Sequence, residues 1–194
     1  ARKGKFEVAL SESYTNLAGR EVRHFGEKAT WAGRFGAGKG NYVKVGTYMV
    51  GDLNGDLKTD IAMFSENTGT WEFAISQRSS FQSVPMTITE FGTNGSKPFF
   101  EDVNGDEKDD AVLFEAGTWK VMLNNGNSFE APEIYITDFG SEISQAYIAD
   151  VNGDNKGDAV IFEDGMVSVA LSEGSSFAKS SVWMSDIAAT QIMF

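Results

Sequence analysis

The sequence predicts an all-β fold: a β-propeller-type array of about four four-stranded antiparallel blades, the first of them incomplete. Three observations predict it. A nine-residue acidic motif recurs as DLNGDLKTD from Asp52, DVNGDEKDD from Asp102 and DVNGDNKGD from Asp150, at spacings of 50 and 48 residues. Each copy runs into a short apolar segment, IAMF, AVLF or AVIF. Each then passes through a glycine turn into an alternating segment, GTWEFAIS from Gly69, GTWKVMLN from Gly117 and GMVSVALS from Gly165. Strict alternation marks half-buried strands, and a period near 50 residues made of short strands and tight loops is the size of one propeller blade.

In chain order, the first unit, residues 1–45, is degenerate. GKFEVALS from Gly4 matches the alternating strand, and Trp31 through Phe35-Gly36 matches a strand that ends in Phe-Gly. Between Phe35 and Asp52 lie more residues than between Phe91 and Asp102, so an insertion is expected there. The second unit spans 46–92, the third 93–140 and the fourth, with a terminal strand, 141–194. Phe81, Phe129 and Phe177 close the alternating segments at intervals of 48. A further strand then leads to Phe91-Gly92 and Phe139-Gly140, and the same register in the last copy lands on Ile187. The whole is read as one repeat domain. Glu90 and Asp138, which precede the Phe-Gly pairs at repeat spacing, read as structural, and Trp71 and Trp119 occupy equivalent positions suited to a blade core.

Composition narrows the function. The 194 residues include 21 glycines, 15 phenylalanines and no cysteine, so disulfides and thiolate metal sites are excluded and any ionic staple must be a hard cation held by oxygen. No run of about 18 apolar residues is present to form a membrane-spanning helix. Net charge is -12, yet residues 1–45 carry 9 of the 16 Lys and Arg against 4 of the 28 acids. The acidic remainder argues against nucleic-acid binding, which needs clustered basic side chains on phosphates. Arg20, Arg23, Lys28, Arg34, Lys39 and Lys44 form the one region expected to attract an anion.

The motif D-x-N-G-D-x-x-x-D places oxygen-bearing side chains at positions 1, 3, 5 and 9 with a backbone carbonyl at position 7, which is calcium chemistry. Three Ca2+ sites are expected. The first is formed by Asp52, Asn54, Asp56, the carbonyl of Lys58 and Asp60; the second by Asp102, Asn104, Asp106, Lys108 and Asp110; the third by Asp150, Asn152, Asp154, Lys156 and Asp158. An EF-hand would need Glu at position 12, where Met63, Leu113 and Ile161 stand inside β-like runs. These are hairpin loops. The bland alternative, that Asn-Gly-Asp merely turns the chain, is weakened by three copies with every ligand position filled.

On these loops, the G-x-W strands and the terminal Phe-Gly pairs, the units resemble the FG-GAP or VCBS repeats of integrin-α-like propellers and of some secreted bacterial and fungal proteins. The resemblance covers nearly the whole chain. It implies a calcium-binding propeller, commonly of seven blades, with calcium in loops between the first two strands of a blade. With about four units and no loop in the first, two arrangements stay open. The chain is part of a larger propeller, or a small ring closes where AATQIMF pairs beside the N-terminal strand.

No catalytic constellation emerges, and the chain is not expected to be an enzyme. The one histidine, His24, lies in the degenerate unit without a nucleophile partner and reads as a surface residue. GRFGAGKG from Gly33 approaches a phosphate-binding loop, but Gly40 stands where a magnesium-binding hydroxyl is needed. Trp31, Tyr135 and Trp183 share the outer-strand register and read as core or rim packing, with stacking on sugars between blades as the functional alternative. The expectation is an extracellular module, secreted or at the cell surface, that binds a glycan or protein ligand in the manner of a lectin or adhesion domain. Its rivals are a calcium-stabilised structural spacer or assembly subunit, associated with further blades or another subunit, and an accessory region of a secreted polysaccharide-degrading enzyme.

Overall fold

The computed structural model describes residues 46–186 in full and, for residues 1–45, the backbone of four strands. Those strands are β1 (Lys5–Val8), β2 (Ser11–Thr15), β3 (Glu21–Phe25) and β4 (Ala29–Gly33). Twelve more follow: β5 (Thr47–Gly51), β6 (Asp60–Ser65), β7 (Thr70–Ser76), β8 (Phe81–Ile88), β9 (Lys97–Glu101), β10 (Asp110–Glu115), β11 (Thr118–Met122), β12 (Glu133–Ile136), β13 (Gln145–Ala149), β14 (Asp158–Glu163), β15 (Met166–Ala170) and β16 (Ser181–Met184). The fold is all-β.

The twelve form three four-stranded antiparallel sheets, β5-β6-β7-β8, β9-β10-β11-β12 and β13-β14-β15-β16, each a simple meander. Sequence dictates the layers. The apolar runs become the second strands β6, β10 and β14, which are covered on both faces, whereas alternation in β7 and β11 buries Trp71, Phe73, Trp119 and Val121 on one side. β9 lies against both β5 and β13, so first strands neighbour one another on the inner side and the acidic loops that follow them emerge at one end. The described sheets form an open row.

One irregularity of register recurs in three units, while in β7–β8 the shift falls instead between Glu72 and Ala74. Trp119 pairs with Ile136 but Lys120 with Ile134, leaving Tyr135 as a bulge; Val167 pairs with Met184 but Ser168 with Val182, leaving Trp183. In the first unit Phe6 pairs with Ala32 and Glu7 with Thr30, leaving Trp31. β1 and β4 are thus the third and fourth strands of an incomplete blade. Between them stands a β2–β3 hairpin, with His24 opposite Glu12, that the other units lack. Counting from Phe35 to Asp52 could not find it, because this hairpin lies upstream of Phe35. The insertion inferred from that count, the glycine-rich stretch 34–40, Arg20, Lys28, Arg34, Lys39, Lys44 and the terminal AATQIMF lie outside the described residues, as does the side chain of Arg23.

Each Gly-x-Trp turn is locked to a Phe-Gly corner. Phe91 N–H donates to the Gly69 carbonyl at 3.0 Å, and Phe139 N–H to that of Gly117 at 3.0 Å. Glu90 and Asp138 turn the corner at φ of 59° and 56°, and this left-handed residue sets the following Phe inward. Phe91 and Phe139 are buried against Trp71 and Trp119.

Candidate metal centres

The three D-x-N-G-D-x-x-x-D loops connect β5 to β6, β9 to β10 and β13 to β14, and they adopt one conformation. Position 4 takes positive φ in Gly55, Gly105 and Gly153, where the absence of a Cβ removes the steric cost. Position 6 does so too, in Leu57, Glu107 and Asn155, although none is glycine. This curl turns successive N–H groups toward the carboxylate at position 1. Asp52 Oδ1 accepts from the N–H groups of Gly55 at 2.8 Å and Asp56 at 3.1 Å, and its Oδ2 accepts from Leu57 at 2.5 Å. Asp102 and Asp150 repeat the pattern.

Position 9 is deeper. Asp60, Asp110 and Asp158 are fully buried. One oxygen of each accepts the N–H at position 2, from Leu53 at 3.0 Å, Val103 at 3.1 Å and Val151 at 3.1 Å. The other accepts an N–H from beyond the end of the third strand or from its last residue: Ser76 at 2.7 Å, Asn124 at 2.8 Å and Ser172 at 2.8 Å. Burial pushes these carboxyls up, and repulsion from positions 1 and 5 adds to it; Asp110 reaches about 7. Position 5 faces a cation. Lys58, Lys108 and Lys156 ion-pair with Asp56, Asp106 and Asp154, and the lysine hydrogen bond holds Asp56 and Asp154 below the usual carboxylate range.

Among the described residues no three acidic or histidine side chains converge as a ready cage. The geometry gives the reason: position 1 faces backbone N–H groups, position 9 faces two more, and position 5 faces the lysine. The donor set nonetheless fits a hard cation. It is all oxygen in every loop, the carboxylate oxygens of positions 5 and 9 and Oδ2 of position 1 each keep a second lone pair beside one partner, and the lysine ammonium stands where positive charge is called for. The residues at these fifteen positions are therefore gathered in three compact loops.

Neighbouring loops also bond to each other, which sequence reading missed. Asp109 N–H donates to the Asp52 carbonyl at 2.8 Å, and Gly157 N–H to that of Asp102 at 2.7 Å. Asn124 Nδ2 donates to the Leu53 carbonyl at 2.7 Å, and Ser172 Oγ to that of Val103 at 2.5 Å. Burial, followed by the nearby Glu101 carboxylate, pushes Asp109 up to about 7.

Between the outer strands, a cleft of about 380 Å³ opens beside β8, lined by Pro85, Met86, Thr87, Met122, Ser128 and Phe129. In the next junction Tyr135 fills the space: its ring meets Phe177 edge-on at 5.3 Å and its hydroxyl donates to the Gly174 carbonyl at 3.1 Å. Trp183, at the same register, is 50% exposed.

Comparison with curated proteins finds no match. Among solved structures, the chain is similar to an Agrocybe aegerita lectin described as recognising non-reducing terminal N-acetylglucosamine, with a TM-score of 0.68 and 21% identity over 94% of this chain and 48% of the lectin. The chain thus spans about half the length of that lectin, and the likeness is one of fold. A Photorhabdus luminescens Tc holotoxin pore aligns with a TM-score of 0.47 and 14% identity over 94% of this chain and 11% of that one. The model of the FG-GAP-like repeat matches residues 102–161, from the first aspartate of the second loop into β14. The chain carries an FG-GAP-like repeat in a propeller-type, all-β fold.

Proposed function

We propose that this chain is a calcium-rigidified, glycan-binding propeller module that works outside the cell, binding its ligand without transforming it. The observation that carries the reading is the loop set: three oxygen-only loops in one conformation at one end of a propeller-type fold, each gathering three carboxylates and one amide. In this reading Asp52, Asn54, Asp56, the Lys58 carbonyl and Asp60 hold one ion, and the equivalent residues of the other two loops hold two more. Bound calcium neutralises carboxylates that otherwise repel, and so fixes the end of each second strand.

The glycan part rests on the lectin of similar fold and on the open cleft beside β8, whose apolar floor of Met86 and Phe129 and polar rim of Thr87 and Ser128 suit the mixed faces of a sugar ring. Millimolar extracellular calcium suits this class of site, since extracellular modules bind at roughly 10⁻⁴–10⁻³ M. The test is a glycan array probed in calcium and in EDTA, with terminal N-acetylglucosamine among the probes. Calcium-dependent capture supports the reading. Calcium-dependent stability without capture of any glycan leaves the spacer role in its place.

A further inference from the structure

Among the described residues, Asp109 makes a contact that no other residue at loop position 8 makes. Its N–H donates to the Asp52 carbonyl at 2.8 Å, and its carboxylate accepts the Asp52 N–H at 2.9 Å. Both backbone polar groups of Asp52, the first residue of the first loop, are therefore held by one residue of the second loop. Room for this exists because residue 51 is glycine: a Cβ built on Gly51 would overlap the Asp109 carboxylate. The next junction reverses the pattern. Position 8 is Gly157, which offers only its N–H to Asp102, and the residue before the loop is Glu101; a Cβ on Gly157 would come within 2.8 Å of Glu101 Cγ and 2.6 Å of Ile148 Cγ2. Each of these two junctions thus accepts one acidic side chain opposite one glycine, but among the described residues only Asp109 grips a position-1 residue from both sides.

We infer that Asp109 is a positioning residue that couples calcium occupancy of the second loop to that of the first. The inference rests on the calcium reading above. Asp109 lies between two of the second loop's proposed donors, the Lys108 carbonyl and the Asp110 carboxylate, so an ion there fixes the peptide that holds Asp52. Ordering Asp52 in advance removes part of what the first ion must otherwise order, and thermodynamic linkage makes the effect mutual. The third loop, tied through Gly157 by a single bond, couples more weakly.

Calcium chloride titration followed at the amide resonances of Gly55, Gly105 and Gly153 reads the loops one by one. Asp106→Ala, which impairs the second loop, should raise the midpoint at Gly55 about tenfold, the size that one hydrogen bond to a charged group carries. It should shift Gly153 by much less. In Asp109→Ala, which keeps only the backbone bond that Gly157 also makes, adding Asp106→Ala should shift Gly55 by no more than it shifts Gly153. Gly51→Ala, which expels the carboxylate while keeping Asp109, should uncouple the loops in the same way. Asp109→Asn keeps an accepting oxygen and should restore coupling. If all three glycines respond to calcium but Gly55 ignores Asp106→Ala, or follows it equally in Asp109→Ala, the coupling is wrong and the calcium reading stands. If none responds at 10 mM, about ten times the weak end of the extracellular range, both are overturned.

Discussion

Trp119 Nε1 donates to the carbonyl of Phe139 at 3.0 Å, and the same bond recurs between Trp71 and Phe91 at 3.0 Å. Both tryptophans are fully buried, and each ring lies between a phenylalanine of its own hairpin, Phe64 or Phe114, and the Phe of the corner. The bond closes a sheet on itself by tying the third strand to the segment that leaves the fourth.

Trp119→Phe should therefore destabilise by about 2–3 kcal/mol, since it strips a buried carbonyl of its partner and leaves a void where the indole stood. Trp119→Ala should cost about 3–5 kcal/mol. Urea unfolding at fixed calcium measures both. In the fourth unit Val167 holds the same register, so Val167→Ala should cost only about 1 kcal/mol, in proportion to a half-buried, smaller side chain.

The carboxylates of a single loop should separate into two kinds. Asp110→Ala leaves the buried N–H groups of Val103 and Asn124 without their acceptor, and should cost about 2–5 kcal/mol in calcium and in EDTA alike. Asp106 is partly exposed at the loop rim and bonded to its own loop, so Asp106→Ala should matter mainly through the ion. At calcium tenfold above Kd one site contributes about 1.4 kcal/mol. Melting curves of both variants with and without chelator check this. Equal, chelator-insensitive losses would remove the ion from the account.

Much of this was legible in the sequence, because the loop, second-strand and corner motifs recur at a nearly fixed spacing. Asp-x-Asn-Gly-Asp placed the loops, IAMF, AVLF and AVIF placed the second strands, and Phe91-Gly92 and Phe139-Gly140 placed the corners. What stayed hidden lies between repeats. Position 8 reads Thr59, Asp109 and Gly157, a variable site when copies are compared one above another, and its role emerges only when consecutive loops touch. Glu101 and Gly51 are hidden for the same reason. Position 6 gave no sign of its left-handed backbone, since Leu57, Glu107 and Asn155 share no residue type that requires it.

Tyr135 and Trp183 share a register yet differ in cover, so the same substitution should have unequal effects. Tyr135→Phe removes the bond to Gly174 and should cost about 1 kcal/mol; Tyr135→Ala also removes the edge-on contact with Phe177 and should cost about 3–4 kcal/mol. Trp183→Ala, at an exposed position, should change unfolding by less than about 1 kcal/mol. Chemical denaturation of the three variants gives the comparison, and a loss at Trp183 as large as at Tyr135 would mean that Trp183 is covered in solution.

Acid should stabilise the calcium-free protein. Burial, then repulsion from neighbouring acids, pushes Asp109 and Asp110 up to about 7, against an ordinary value of 3.8. A carboxyl raised by folding binds its proton more tightly folded than unfolded, so its contribution is fully present below pH 3.8 and is lost as pH rises through about 7. Depressed carboxyls such as Asp56 and Asp154 act in the opposite sense only near and below their ordinary range, which leaves the window from about pH 5 to 8 to the raised pair, with the raised Asp60, Glu101 and Asp158 adding in the same sense at its acid side. Discounted for the partial exposure of Asp109 and for local relaxation around Asp110, the pair should lower stability by on the order of 2–3 kcal/mol across that window in EDTA. Calcium favours the ionised carboxylates, so in 10 mM calcium, about tenfold above the weak end of the extracellular range, the slope should vanish or reverse. Thermal melts from pH 5 to 8, in chelator and in calcium, follow both. Asp109→Asn should flatten part of the chelator slope while leaving the part that belongs to Asp110. A melting temperature that rises with pH in EDTA would show that these two carboxyls are ionised in the folded chain without a metal.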